Sequence, residues 1–240
     1  MTKQRVFIMG MLCAAVAAAG LIYAQDPPSQ SLSYELRLRV VSSLSGSHRA
    51  VPAVVWLEPL EGTPALPFLP RDHYTLLQKH RTFIPHLQVI PVGSIVQFPN
   101  ADPFYHNVFS LFEGKRFDLG LYEAGSSKSV TFSRQGVSYI FCNIHPEMSA
   151  VVLTLSTPLY AIADGHNSFV LRGVPEGDYR LHFWIEGVTQ SALENLSRPV
   201  HFSSHDLDLG AVSAPIAGPM NMTHSNKFGG PYDKDAPSTY

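Results

Sequence analysis

The chain has 240 residues, 45% hydrophobic and 15% charged, which is enough apolar material for the core of one large domain or two small ones. A net charge of −2 creates no long-range field to gather nucleic acid or an anionic membrane, so neither is expected as a partner. The 19 prolines and 17 glycines suit short strands and frequent turns better than a helical bundle.

At the N-terminus, Lys3 and Arg5 precede an almost uncharged apolar run over residues 6–21, and Ile22-Tyr23-Ala24 offers a cleavage site before Gln25. This is the pattern of an export signal over residues 1–24. The run is also near the length of a membrane span, so a retained anchor is the alternative. With cleavage near Ala24/Gln25, the expectation is a periplasmic protein with no stable membrane association. Cys13 lies inside the apolar run behind Leu12, where a lipidation site would want a small residue, so it reads as part of the signal. Cleavage then leaves Cys142 as the sole cysteine. A lone thiol in an oxidising compartment is either buried and inert or held by a partner.

Residues 25–31 read as a linker. From Ser33 the pattern alternates, with Tyr34, Leu36, Leu38 and Val40 on one face and Glu35, Arg37 and Arg39 on the other, as in a half-buried strand. Further strands are predicted over residues 53–57, 95–98, 107–111, 117–121, 130–132, 138–142 and 150–155. After a break come 168–171, 179–184, 200–203 and 207–212. Turn formers separate them, as in Phe98-Pro99-Asn100 and Pro175-Glu176-Gly177-Asp178. Only residues 72–80 and 191–196 carry helix-like spacing, and both are short. The fold class is therefore all-β, with strands arranged in sandwiches. Residues 213–240 hold few large apolar side chains and are expected to form a disordered tail, in which Met220, Met222 and His224 are soft ligand types.

Cys142-Asn143-Ile144-His145-Pro146-Glu147-Met148 sets a thiolate, an imidazole and a thioether at spacing C-x₂-H-x₂-M. Ile140 and Cys142 share one face of the preceding strand; Val151, Leu153 and Leu155 share one face of the next. With both faces packed into a core, the three ligand types cluster in the turn between two strands. One thiolate, two histidines and a weak axial methionine is the donor set of electron-transfer copper. A structural zinc site needs four strong ligands, usually including paired cysteines, which this chain lacks. Among 11 histidines, His106 in Asp102-Pro103-Phe104-Tyr105-His106-Asn107 is the one entering a strongly apolar strand beside a turn-rich loop. It is the expected second histidine. The candidate metal ligands are thus His106, Cys142, His145 and Met148, around one type 1 copper.

The stretch running from Phe83-Ile84-Pro85 through Val92-Gly93-Ser94-Ile95-Val96-Gln97-Phe98-Pro99-Asn100, then His106-Asn107-Val108-Phe109 and Cys142 to Met148, resembles the cupredoxins, plastocyanin and amicyanin. The short spacing of the Cys-His-Met loop is amicyanin-like, and the resemblance covers residues 75–155. Tyr105 departs from it, since these relatives usually carry proline before the histidine. The resemblance implies that Asn107 ties the first ligand loop to the cysteine loop by hydrogen bonds. A His₂Cys set with a distant methionine suits both copper oxidation states and offers no open position for a substrate, so the expectation is a one-electron carrier rather than an enzyme, with an apolar docking patch of Pro103, Phe104, Pro146 and Phe83 around His145 for weak, transient redox partners. Copper delivery or storage, and a structural sandwich with a vestigial copper site, are the rival readings.

The remaining strands resemble the two halves of a carboxypeptidase-regulatory-like, or transthyretin-like, sandwich: Val54-Val55-Trp56-Leu57 in the first, and Ala163-Asp164-Gly165, Phe169-Val170-Leu171 and Tyr179-Arg180-Leu181 in the second. The combination resembles plastocyanin-like proteins associated with methylamine utilisation. It implies a cupredoxin domain at residues 75–156, inserted into a discontinuous Ig-like or transthyretin-like sandwich of residues 32–60 plus 157–212. Asp164, Gly165 and His166 read as a turn rather than a catalytic group.

Overall fold

The computed structural model describes residues 33–43, 50–111, 114–216 and 226–232. The expected signal (1–24), the linker (25–31) and Met220, Met222 and His224 lie outside these residues. The described chain is nearly all β. Its elements are β1 (Ser33–Ser42), β2 (Ala53–Pro59), β3 (Tyr74–Thr75), β4 (Leu77–Gln78), β5 (Phe83–Ile84), β6 (Leu87–Pro91), β7 (Ile95–Pro99), β8 (His106–Ser110), β9 (Phe117–Tyr122), β10 (Ser127–Thr131), β11 (Gly136–Cys142), β12 (Ser149–Leu155), β13 (Tyr160–Ile162), β14 (Ser168–Pro175), β15 (Gly177–Ile185), α1 (Gln190–Leu196), β16 (Arg198–Phe202) and β17 (Leu207–Ala214). Among these residues no helix is long and apolar enough to cross a membrane.

In β1 the period-2 pattern buries Tyr34, Leu36, Leu38 and Val40 and exposes Arg37 and Arg39. The strand lies between antiparallel β14 and parallel β17. A second sheet has the order β13-β2-β15-β16. Both strands before residue 60 therefore pair with strands after residue 159. Between them in sequence lie a five-stranded sheet, β6-β12-β11-β8-β9, and a three-stranded one, β10-β7-β3.

Among the described residues the buried apolar side chains form two clusters. One gathers Leu36, Val55, Leu57, Phe169, Leu181 and Trp184 from the flanking strands. The other gathers Phe98, Val108, Phe132, Ile140, Cys142, Met148 and Val152. Strand β12 serves both: Ala150 and Val152 face the second cluster, while Val151, Leu153 and Leu155 belong to the first. The face of Val151, Leu153 and Leu155 is packed into a core, as the sequence pattern indicates, and that core is the one shared with the flanking strands. Each such side chain contributes about 1.5–3 kcal/mol on burial. The polar links across the same junction include His86 Nε2 to Glu186 Oε1 at 2.7 Å, on a partly exposed pair. A link of that kind is worth about 1 kcal/mol or less. The apolar face of β12 is thus the main attachment.

Strand β6 is not evident from sequence because its two faces are both buried. Val89 joins the first cluster and Ile90 the second, so no polar–apolar alternation is written along it. Helix α1 matches the spacing over 191–196, with the Thr189 hydroxyl accepting from Ala192 N. Residues 72–80 form short strand segments that end in a turn at His80, not a helix: Leu76 N donates to Gln97 O at 2.8 Å, and Leu76 and Gln78 are fully buried beside β7. The Asp164 carboxylate accepts from His166 N and Ser168 N, both at 2.8 Å, which makes this segment a side-chain-capped turn.

The expected disordered tail over 213–240 needs correction in two stretches. Strand β17 continues to Ala214 because parallel pairing with β1 extends that far, and Ala214 and Ile216 are buried. Residues 226–232 form a compact turn held by polar groups rather than by apolar burial, which is why composition does not disclose it.

Candidate metal centre

Strand β8 opens with His106, and the pairing of Cys142 with Val108 brings the end of β11 alongside it. The chain then turns through residues 143–148 and returns as β12. This turn closes on itself, with Met148 N donating to His145 O (3.1 Å) and Cys142 N to Met148 O (3.3 Å). Local spacing and pairing together point three donors at one place. Cys142 Sγ is 3.6 Å from His106 Nδ1 and 3.6 Å from His145 Nδ1, and the two nitrogens are 3.2 Å apart. Among the described residues these three form the group able to hold a metal ion, with donor atoms within 4.8 Å of one another.

These separations match the edges of a coordination triangle, since metal–donor distances of about 2.0–2.3 Å at angles between about 105° and 120° span about 3.2–3.7 Å between donors. Met148 is 1% exposed and belongs to the same apolar cluster as Cys142. The Asp102 carboxylate bonded to His106 lies on that ring's far nitrogen and not among the donors. A thiolate and two imidazoles in an apolar pocket beside a thioether are donors matched to copper, and they fall short of the four strong ligands of structural zinc.

Burial dominates the electrostatics. It pushes the Cys142 thiol up, against backbone amides of Ile144, Asn107 and His145 that favour the thiolate. It lowers His106 despite the opposing Asp102 carboxylate, and it lowers His145, helped by His106 and by Arg81. Both imidazoles are therefore held in the neutral form that ligates metal.

Asp102 is 4% exposed, and its Oδ2 lies 3.0 Å from His106 Nε2. The same carboxylate accepts from His80 N (2.6 Å) and Arg81 N (3.0 Å), two residues at φ 55 and 53 whose left-handed turn aims both amides at it. Burial works to raise Asp102, but the amides of Arg81 and His80 and the His106 ring outweigh it and hold the carboxyl below its usual range. This bond orients the His106 ring with Nδ1 toward Cys142. Sequence reasoning singled out His106 and passed over Asp102; the legible signal was an aspartate four residues earlier in a turn-rich loop.

Asn107 connects the two ligand segments through its backbone: its carbonyl accepts from Asn143 N at 2.9 Å. Its side chain turns elsewhere, donating to Asp118 Oδ1 at 2.7 Å. At the rim, Phe104 packs against both imidazoles, with centroids 5.3 Å from His106 and 5.4 Å from His145, and the Arg81 guanidinium lies over the Phe104 ring, 5.2 Å from its centroid. Pro103, Tyr105 and Pro146 are exposed. Phe83, expected in this rim, is instead 1% exposed inside the second cluster, because β5 turns its side chain inward against Leu76 and its neighbours. His106 and Cys142 are fully enclosed, and His145 retains 6% exposure.

No protein-family model and no curated protein sequence matches the chain. Solved structures similar to part of it include a purple cupredoxin from Nitrosopumilus maritimus, 23% identical over 35% of this chain and 100% of that one, with a TM-score of 0.32. A reduced mutant of amicyanin is 19% identical over 34% of this chain and 80% of its own, with a TM-score of 0.32. The copper-containing nitrite reductase NirK of Thermus scotoductus SA-01 is 26% identical over 41% of this chain, with a TM-score of 0.33, and the match spans 25% of that enzyme.

Proposed function

We propose that this protein is an exported type 1 copper protein that carries one electron at a time through a site made by His106, Cys142, His145 and Met148. The observation that carries the proposal is the convergence of one buried thiol and two buried imidazole Nδ1 atoms within 4.8 Å. Copper bound there would supply a one-electron couple whose two oxidation states both suit thiolate and imidazole donors.

The protein's own part is to hold these donors in place. Asp102 fixes the His106 ring, the apolar cluster around Cys142 keeps water out, and the self-bonded turn carries His145 and Met148. With Met148 as a fourth donor beside the other three, the site would leave no open position for a substrate, which favours a carrier over a copper enzyme. His145 is the least buried donor, and the half-buried Phe104 with exposed Pro103, Tyr105 and Pro146 forms an apolar rim beside it. Such a rim suits weak, transient docking of a redox protein. The apolar N-terminal run and the single remaining cysteine support a periplasmic location. The pairing of β1 with β14 and β17, and of β2 with β13 and β15, supports reading residues 75–156 as a module inserted into a transthyretin-like host.

Titration of the purified, reduced protein with copper(II), followed by visible absorption and electron spin resonance, tests the proposal. An intense blue thiolate-to-copper band saturating at one equivalent is expected, and Cys142→Ser should abolish it while the far-ultraviolet circular dichroism stays unchanged. A folded, reduced protein that stays colourless, or a Cys142→Ser variant that stays blue, would sink the assignment.

A further inference from the structure

Residues 226–232 are built around one side chain. Asn226 Oδ1 accepts from Phe228 N (3.0 Å) and Gly230 N (3.1 Å), Asn226 Nδ2 donates to Pro231 O (2.9 Å), and Asn226 N donates to Gly230 O (2.8 Å). Gly229, at φ 82, adopts the left-handed conformation this turn requires. The turn is thus shaped by its own hydrogen bonds, and it presents three donors outward.

All three donors land on the supports of the metal centre. Tyr232 OH donates to the Cys142 carbonyl at 2.7 Å. Lys227 N donates to Asn143 Oδ1 at 2.8 Å, on the residue after the cysteine. Lys227 Nζ reaches Asp118 Oδ2 at 2.8 Å, and Asp118 in turn holds the Asn107 side chain, next to His106. The carbonyl of Asn107 accepts from Asn143 N, which closes the circuit between the two ligand segments. Through these bonds the strap grips the backbone and neighbours of Cys142 and His106.

We infer that residues 226–232 are a positioning strap for the ligand loop, with Tyr232 and Lys227 as its anchors, an inference that rests on the copper reading above for its functional consequence. Held by the strap, the 142–148 turn keeps its donors at fixed separations in both oxidation states and releases copper slowly. Without it, the loop opens more often.

The test uses the full chain, a Tyr232→Phe variant and a chain ending at Ser225. Amide hydrogen exchange at Ile144 and His145 is measured without copper, and release to a copper(I) chelator is measured on the loaded protein. Losing one net hydrogen bond in Tyr232→Phe should speed both by about fivefold, and losing the whole strap by more than about tenfold. Exchange at Val55 and Leu181 in the flanking sheet should not change. Unchanged exchange at Ile144 and His145 in both variants would overturn the inference, and so would a loss of protection spread equally over Val55 and Leu181. If the unmodified protein fails to turn blue, the copper reading falls by itself, and the exchange data still decide the strap.

Discussion

Asp102→Asn isolates the effect of one buried negative charge on the metal centre. The carboxylate is one imidazole ring and a 3.0 Å hydrogen bond away from whatever His106 Nδ1 ligates. Taking that path as roughly 7 Å and an effective dielectric constant of about 20, its interaction with a unit change in charge is about 2 kcal/mol. For a one-electron couple, at about 59 mV per tenfold change, this corresponds to roughly 100 mV. Removing the charge destabilises copper(II) relative to copper(I), so the reduction potential should rise. Asparagine keeps an oxygen for His106 Nε2 and Arg81 N, which leaves the ring orientation intact, but sets its amide against His80 N. That mismatch should cost about 1–3 kcal/mol of stability in the copper-free protein. Spectroelectrochemical titration gives the potential, and urea unfolding of the copper-free variant gives the stability. A blue variant whose potential is unmoved or lower would refute the assignment of Asp102 as an electrostatic partner of the site.

Met148→Leu should retain the blue band and raise the potential, since a donor that helps stabilise copper(II) is lost while the three strong ligands remain; an unchanged potential would remove Met148 from the axial position. Leu153→Ala, at a site 1% exposed on the face of β12 that meets the flanking strands, should cost about 2–5 kcal/mol in urea unfolding. A loss below about 1 kcal/mol would show that this face is not the main attachment. His86 is raised above 6.5 chiefly by its hydrogen bond to Glu186, so the stabilisation is complete below pH 6.5 and is lost as pH rises through the folded-state value. The stability gap between wild type and Glu186→Gln should therefore narrow above neutral pH, and a gap that widens there would contradict the pairing. The His182 ring nitrogen, 3.0 Å from the carboxylate, lowers Glu58 to about 2, so its contribution is present above pH 4.5 and fades as pH falls toward 2. Thermal unfolding of wild type against Glu58→Gln across that range should show the two converging.

Much of this protein's chemistry is written locally in its sequence. Cys142, His145 and Met148 lie within one seven-residue turn, and a turn that short must keep its side chains near one another whatever the rest of the chain does. The all-β class is legible for the same reason: the alternation in residues 34–40 reports one buried and one solvated face directly. His106 is 36 residues from Cys142 and was identifiable only as a histidine at the mouth of an apolar strand; antiparallel pairing of β8 with β11 is what brings its Nδ1 to 3.6 Å from the sulfur. Where both faces of a strand are buried, as in β6 and β12, alternation disappears, and sequence cannot say which face meets which core. Phe83 shows the same limit, since an aromatic near a ligand loop reads equally well as rim or as core until its strand turns it inward. The supports of the site are more distant still. Asp102 acts through a turn at His80 and Arg81, and Tyr232 reaches a carbonyl 90 residues away. Contacts made by backbone amides and carbonyls leave almost no trace in residue identity, because every residue but proline carries the same pair of groups. Donor chemistry could therefore be read from side-chain types, whereas the partners that hold those donors in position emerged only when the chain was folded.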